Sequence, residues 1–230
     1  MLRSIEHIFF DLDRTLWDFD RNSNETLTEL FNELQIGEQT GATAEEFIQV
    51  YLPINERYWE DYRLEKLTQS QLRSGRFSET FAHFGLVNNE LSQAIGEAYV
   101  ARSPHKTALI DGALDLLNHL NSRYHLHIIT NGFEEVQHIK MHASGITPFF
   151  KEIITSERAG VKKPNPEIFN FAENLTNAKP EHCLMIGDHF EADIEGASNV
   201  AWKSIYFEPM GNKDGNHIHV KSLREIISLL

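Results

Sequence analysis

A chain of 230 residues, 41% hydrophobic and 24% charged, has the length for one large domain or a core carrying a smaller one, with enough apolar side chains to pack without covalent staples. Its single cysteine, Cys183, excludes an internal disulfide and points to a reducing, cytoplasmic setting. The 34 acidic residues against 21 basic ones give a formal charge of −13, which opposes nucleic-acid polymers and anionic membranes but not a small anion at a site with its own positive field.

The first apolar run, Ile8-Phe9-Phe10, is too short for a secretory leader, and no stretch reaches the roughly 20 apolar residues of a membrane helix. The glycosylation-type sequons at Asn24 and Asn174 are therefore read as chance matches. In chain order, Ile8-Phe9-Phe10 is a strand ending at Asp11. From about residue 17 to 105 only helical patterns follow. Leu27, Leu30, Phe31 and Leu34 form a stripe after a cap signal at Asn22-Ser23. Phe47, Val50, Tyr51 and Ile54 form a second stripe, which Pro53 is expected to kink, and further helices are expected over 68–84 and 89–101.

Alternation then resumes. A helix carries Ala113, Leu116, Leu117 and Leu120, and the strand His125–Ile129 runs into Thr130-Asn131-Gly132. Next come the strand Glu152–Thr155 and a helix with Ile168, Phe171, Ala172 and Leu175. The strand Cys183–Ile186 ends at Gly187-Asp188, Ser204–Phe207 is a fifth strand, and Leu223, Ile226, Ile227 and Leu230 mark a closing helix. Apolar strands separated by helices predict an α/β fold with a parallel sheet covered on both faces. The strandless block predicts an all-helical cap over 17–105, inserted in a core of 1–16 and 106–230.

Ligands of an open parallel sheet bind at the carboxyl ends of its strands. The sequence places Asp11 and Asp13, Thr130-Asn131-Gly132, Lys162-Lys163-Pro164, and Asp188 with Asp193 at those ends. Carboxylates gathered there repel one another, so a divalent cation is expected, and oxygen ligands without a Cys/His cluster favour Mg²⁺.

Asp11-Leu12-Asp13-Arg14-Thr15 matches the DxDxT signature of the haloacid dehalogenase-like (HAD) superfamily. Thr130, Lys163 before Pro164, and Gly187-Asp188 with Asp193 follow in that superfamily's order. The chain thus resembles a HAD hydrolase, which implies a Rossmann-like core with a helical type I cap. The run from Phe10 to Phe19, with Ile54-Asn55, Tyr58-Trp59 and Arg76-Phe77, resembles the pyrimidine 5′-nucleotidase family more closely.

The resemblance implies a phosphomonoester hydrolase. Asp11 is then the nucleophile that forms an aspartyl-phosphate, and Asp13 the acid and base. Mg²⁺ is held by Asp11, the Asp13 backbone carbonyl and Asp188, with Asp193 orienting a metal-bound water from behind. Thr130, the Asn131 and Gly132 amides and Lys163 receive the phosphoryl oxygens. Lys-Pro adjacency favours Lys163 over Lys162. Asp13 argues against dehalogenation, since a halide needs no acid to leave. Arg14 departs from the family, where that position is commonly acidic or small.

The implied substrate is a small phosphorylated metabolite, a nucleoside 5′-monophosphate in the first place. The rivals are a sugar-phosphate or phosphoglycolate phosphatase or a phosphohexomutase of the same superfamily. A catalytically silent phosphate-binding module is opposed by the intact set of Asp11, Asp13, Thr130, Lys163 and Asp188. Trp17, Phe19, Asn22, Trp59, Tyr62, Arg63 and Arg76 are the candidates for recognition from the cap.

Other residues read as structural. His138 and His142 have metal-ligand spacing, but two histidines make no zinc site, and a solvated helix face is expected. Cys183 is expected as a small core side chain, and His217 and His219, beside the polar Gly211–Gly215 segment, as loop residues. Gly187 belongs to no glycine-rich nucleotide loop.

Overall fold

A computed structural model of the chain describes residue 2, residues 4–211 and residues 217–230. The chain forms two compact units, one made of residues 1–19 and 107–230 and the other of residues 20–106.

Among the described residues, the first unit is built on six parallel strands: β1 (His7–Phe10), β2 (His125–Thr130), β3 (Phe150–Thr155), β4 (Cys183–Gly187), β5 (Lys203–Phe207) and β6 (Ile218–Val220), in the order β3-β2-β1-β4-β5-β6. Side chains alternate across a strand, so β1 feeds two cores. Ile8 and Phe10 join Leu126, Ile128, Leu184 and Ile186 on one face, while Phe9 joins Ile129, Ile154, Met185 and Trp202 on the other. Both faces being covered explains why the strands read as continuous apolar runs.

β6 was not anticipated. Its three residues carry a histidine and alternate only weakly. His219 therefore lies on a strand rather than in a loop, with Nε2 3.1 Å from the Glu208 carbonyl oxygen. His217 precedes that strand, and residues 212–216 of the segment read as a loop lie outside the described residues.

The helices of the second unit are α1 (Phe19–Glu33), whose first residue belongs to the first unit, α2 (Ile36–Thr40), α3 (Ala44–Arg63), α4 (Gln69–His83) and α5 (Asn89–Arg102). Asn22 and Ser23 do not cap α1. They are buried within it, and the Tyr99 hydroxyl donates to Ser23 Oγ at 2.9 Å. Thr43 with Glu46 and Thr68 with Gln71 close capping boxes at the starts of α3 and α4. α3 continues through Pro53, because Phe47 and Tyr51 pack on Phe81 and Phe77 of α4 at ring separations of 5.4 and 5.0 Å. Its buried stripe is Phe47, Tyr51, Asn55 and Tyr62, whereas Val50 and Ile54 are only partly covered.

In the first unit the chain continues with α6 (Ala113–Leu120), α7 (Glu134–Ala143), α8 (Ser156–Ala159), α9 (Pro166–Thr176), α10 (Gly196–Asn199) and α11 (Leu223–Ile227). Trp17, a sequence candidate for cap recognition, is fully buried in the first unit's core and bridges Asp13 and Leu109 through its backbone. Among the described residues, no helix is long and apolar enough to cross a membrane.

Candidate active site

β1 stands between β2 and β4, and the chain runs outward from it to β3 on one side and from β4 to β6 on the other. Such a reversal leaves a crevice beyond the carboxyl ends of the central strands. Asp11 follows β1 there, its N–H donating to the Ile186 carbonyl at 2.9 Å, and Asp188 follows β4.

Lys163 is the hub of this end. Only 2% exposed, its ammonium donates to Asp11 Oδ1 at 2.7 Å, Asp193 Oδ1 at 2.6 Å and the Ile129 carbonyl at 2.7 Å, so each of its three N–H groups has an acceptor. Burial alone would lower its pKa, but the attraction of Asp11 and Asp193 wins and holds it above the ordinary lysine value. Asn131 fixes the backbone beneath: its Oδ1 accepts from Lys163 N at 2.8 Å and its Nδ2 donates to Lys163 O at 2.9 Å. The sequence choice of Lys163 over Lys162 matches this placement.

Asp193 arrives by a turn of π-helix, Phe190–Glu195. It is almost fully buried, and its second oxygen accepts from His189 N at 3.1 Å. Both oxygens are thus committed to protein donors, which puts Asp193 behind Lys163 rather than among free metal ligands. Gly187 makes the close approach possible, since a Cβ there would lie 2.2 Å from Asp193 Oδ2.

Burial raises the Asp11 pKa to about 7, with Lys163 opposing and Asp193 and Asp13 adding repulsion. Asp188 accepts from Thr15 Oγ1 at 3.1 Å. Its carboxyl is pushed well above the ordinary range by burial and by Asp11 and Asp193, against the pull of Arg14 and Thr15. Arg14 adopts a left-handed backbone, φ 62°, and its guanidinium lies 4.8 Å from the centre of the Phe19 ring. The family departure at this position therefore puts a positive charge within reach of Asp188.

Asp13 faces α7, and this contact was not foreseen. Lys140 Nζ donates to Asp13 Oδ1 at 2.6 Å, and Gln137 Nε2 donates both to Asp13 Oδ2 at 2.9 Å and to Thr130 Oγ1 at 2.8 Å. Thr130 Oγ1 also accepts from Gly132 N at 3.0 Å, so in this state that N–H points at the threonine. The available signal was the i, i+3 spacing of Gln137 and Lys140 on one helix face.

Three carboxylates, Asp11, Asp188 and Asp193, outnumber the lysine among them. Among the described residues no three His, Cys, Asp or Glu side chains converge as a ready metal cage. Two carboxylates and a backbone oxygen, Asp11, Asp188 and the Asp13 carbonyl, nevertheless suit Mg²⁺, which takes one or two carboxylates and keeps several waters.

His138 and His142 are exposed on α7, and Cys183 is buried in β4. In the helical unit Arg76 is buried, donating to Asn55 Oδ1 at 2.6 Å and lying 5.0 Å from the Tyr99 ring centre. Trp59 and Tyr62 meet edge to face at 5.8 Å, and Arg63 pairs with Glu60.

The family described as haloacid dehalogenase-like hydrolase matches residues 5–200. The pyrimidine 5′-nucleotidase PynA of Streptococcus pneumoniae is 30% identical over 223 residues, 96% of this chain and 90% of the relative. The pyrimidine 5′-nucleotidase YjjG of Escherichia coli is 32% identical, covering 97% of this chain and 96% of the relative. The putative HAD-hydrolase YfnB of Bacillus subtilis, solved bound to magnesium, superposes with a TM-score of 0.88 at 28% identity over 98% of both chains.

Proposed function

The chain belongs to the haloacid dehalogenase-like hydrolases, and we propose that it is a Mg²⁺-dependent phosphomonoesterase of the cytoplasm acting on nucleoside 5′-monophosphates, pyrimidine ones first. The observation that carries this reading is Lys163 beside Asp11 at the strand ends, 2.7 Å apart, with Asp13 and Thr130 tied to each other through Gln137. The names of the two nucleotidase relatives support the substrate class.

Asp11 Oδ attacks phosphorus as the ester P–O bond breaks, and the departing oxygen takes a proton from Asp13. Water then attacks the aspartyl-phosphate, giving its proton to Asp13 and the P–O electron pair back to Asp11. A unit charge brought to about 4 Å from Asp11 meets roughly 4 kcal/mol of repulsion at an effective dielectric near 20. Lys163 opposes that repulsion, and Thr130 with the Asn131 and Gly132 amides donates to the phosphoryl oxygens. Mg²⁺, held by Asp11, the Asp13 carbonyl and Asp188, supplies further positive charge at the transferred group. Asp193 keeps Lys163 in place.

Phosphate release from pyrimidine and purine 5′-monophosphates, hexose phosphates and phosphoglycolate, with Mg²⁺, tests the reading. A preference for nucleotides is expected, with Asp11→Asn inactive yet folded. Equal rates on sugar phosphates would reduce the protein to a general phosphatase, and activity in Asp11→Asn would refute the nucleophile.

A further inference from the structure

We propose that Gln137 and Lys140 are positioning residues for the leaving-group proton, holding the Asp13 carboxyl where it serves the ester oxygen. This rests on the phosphomonoesterase reading and deepens it.

Asp13 lies in a loop after β1 with a side chain 28% exposed, and a carboxylate so placed would sample several rotamers. Here both of its oxygens are located by one helix, through Lys140 on Oδ1 and Gln137 on Oδ2. Neither donor is a casual surface contact. The Lys140 side chain is 7% exposed, with its ammonium 4.5 Å from the centre of the Trp17 ring. A buried ammonium needs a counter-charge, and Asp13 supplies it. Gln137 is fully buried, and its own carbonyl oxygen has no partner among the described residues. With Asp13 ionised, its oxygens only accept, so the amide N–H₂ faces Asp13. Gln137 thus leaves one of its own groups unsatisfied in order to tie Asp13 to Thr130. Gly132 leaves room for it, as a Cβ there would lie 2.1 Å from Gln137 Nε2.

In the first chemical step, the bond from Asp11 to phosphorus forms and the ester P–O pair passes to the leaving oxygen. The step starts from Asp13 protonated on Oδ2; the leaving oxygen takes that proton, while Oδ1 continues to accept from Lys140. The carboxylate that results is already held by two donors.

The test compares two esters through kcat/KM, which reports steps up to loss of the leaving group. An alkyl phosphate, the fastest in the panel, needs a proton on its leaving oxygen, whereas the p-nitrophenolate of p-nitrophenyl phosphate does not. Lys140→Met and Gln137→Leu are expected to lower kcat/KM at least about tenfold further for the alkyl ester than for the aryl one. Lys140→Arg, which keeps the charge, is expected to close most of that gap. If Lys140→Met does not fold, Gln137→Leu carries the comparison alone. Equal losses on both esters, or no loss, would overturn the proposal. A wild-type protein that releases phosphate from neither ester would overturn the functional reading instead.

Discussion

Acidification is expected to loosen the sheet at His127, in β2. The ring is 2% exposed and lies 4.7 Å from the Phe9 ring, with Nε2 3.2 Å from His7 Nδ1 and its own Nδ1 without a partner among the described residues. Burial, and then the charges of His7, His125 and Lys151, push its pKa from 6.5 down to about 3. The folded chain keeps this ring neutral where the unfolded chain has taken up a proton. The stability it contributes is therefore complete above pH 6.5 and is lost as pH falls towards about 3. From pH 7.5 to pH 5 the loss is about 2 kcal/mol, at about 1.36 kcal/mol per unit of separation. His127→Leu removes the titrating group. Urea unfolding of both proteins at the two pH values, followed by tryptophan fluorescence, should give an acid penalty about 2 kcal/mol smaller in the variant. The same penalty in both proteins would refute the argument.

Three further outcomes are expected. Asp193→Asn offers one oxygen in place of two, so either Lys163 or the His189 N–H loses its acceptor. Thermal unfolding in the absence of metal should show a cost of about 1–3 kcal/mol, together with reduced turnover. Gly187→Ala places a Cβ 2.2 Å from Asp193 Oδ2, so the strand end or the π-turn must shift. Chemical unfolding should register about 1–3 kcal/mol for that overpacking. Chelation with EDTA should abolish phosphate release and added Mg²⁺ restore it, as a colorimetric phosphate assay would show.

Much of the site was legible because parallel strands buried on both faces leave uninterrupted apolar runs, and the first polar residue after each run marks a strand end. Asp11, Thr130 and Asp188 were found that way. Lys162-Lys163-Pro164 was grouped with those ends, and the choice of Lys163 over Lys162 came from its adjacency to Pro164. Gln137 and Lys140 escaped because they sit on an ordinary amphipathic helix, and only packing across more than a hundred residues brings them to Asp13. Asn22-Ser23 misled for a related reason. Both residue types favour helix starts, but a hydroxyl supplied by Tyr99 lets Ser23 be buried in mid-helix. Trp17 looked like a recognition residue by its composition and proved to be core. β6 was too short to show a period.

The bridges at Trp17 bear on how this chain can change over evolutionary time. Trp17 pairs antiparallel with Leu109, and Asp18 N donates to Ala108 O at 3.0 Å, so the segments entering and leaving residues 20–106 are stapled side by side. Among the described residues, no strand pairing of the sheet passes through that insert. Closing a loop whose ends are already fastened carries little entropic penalty, and that penalty grows only slowly with the loop's length. The host can therefore accept a longer, shorter or unrelated insert between Phe19 and Thr107 while every backbone pairing beneath the carboxylates at its strand ends stays in register. The fold behaves as a socket, in which the module can be exchanged and the chemistry inherited.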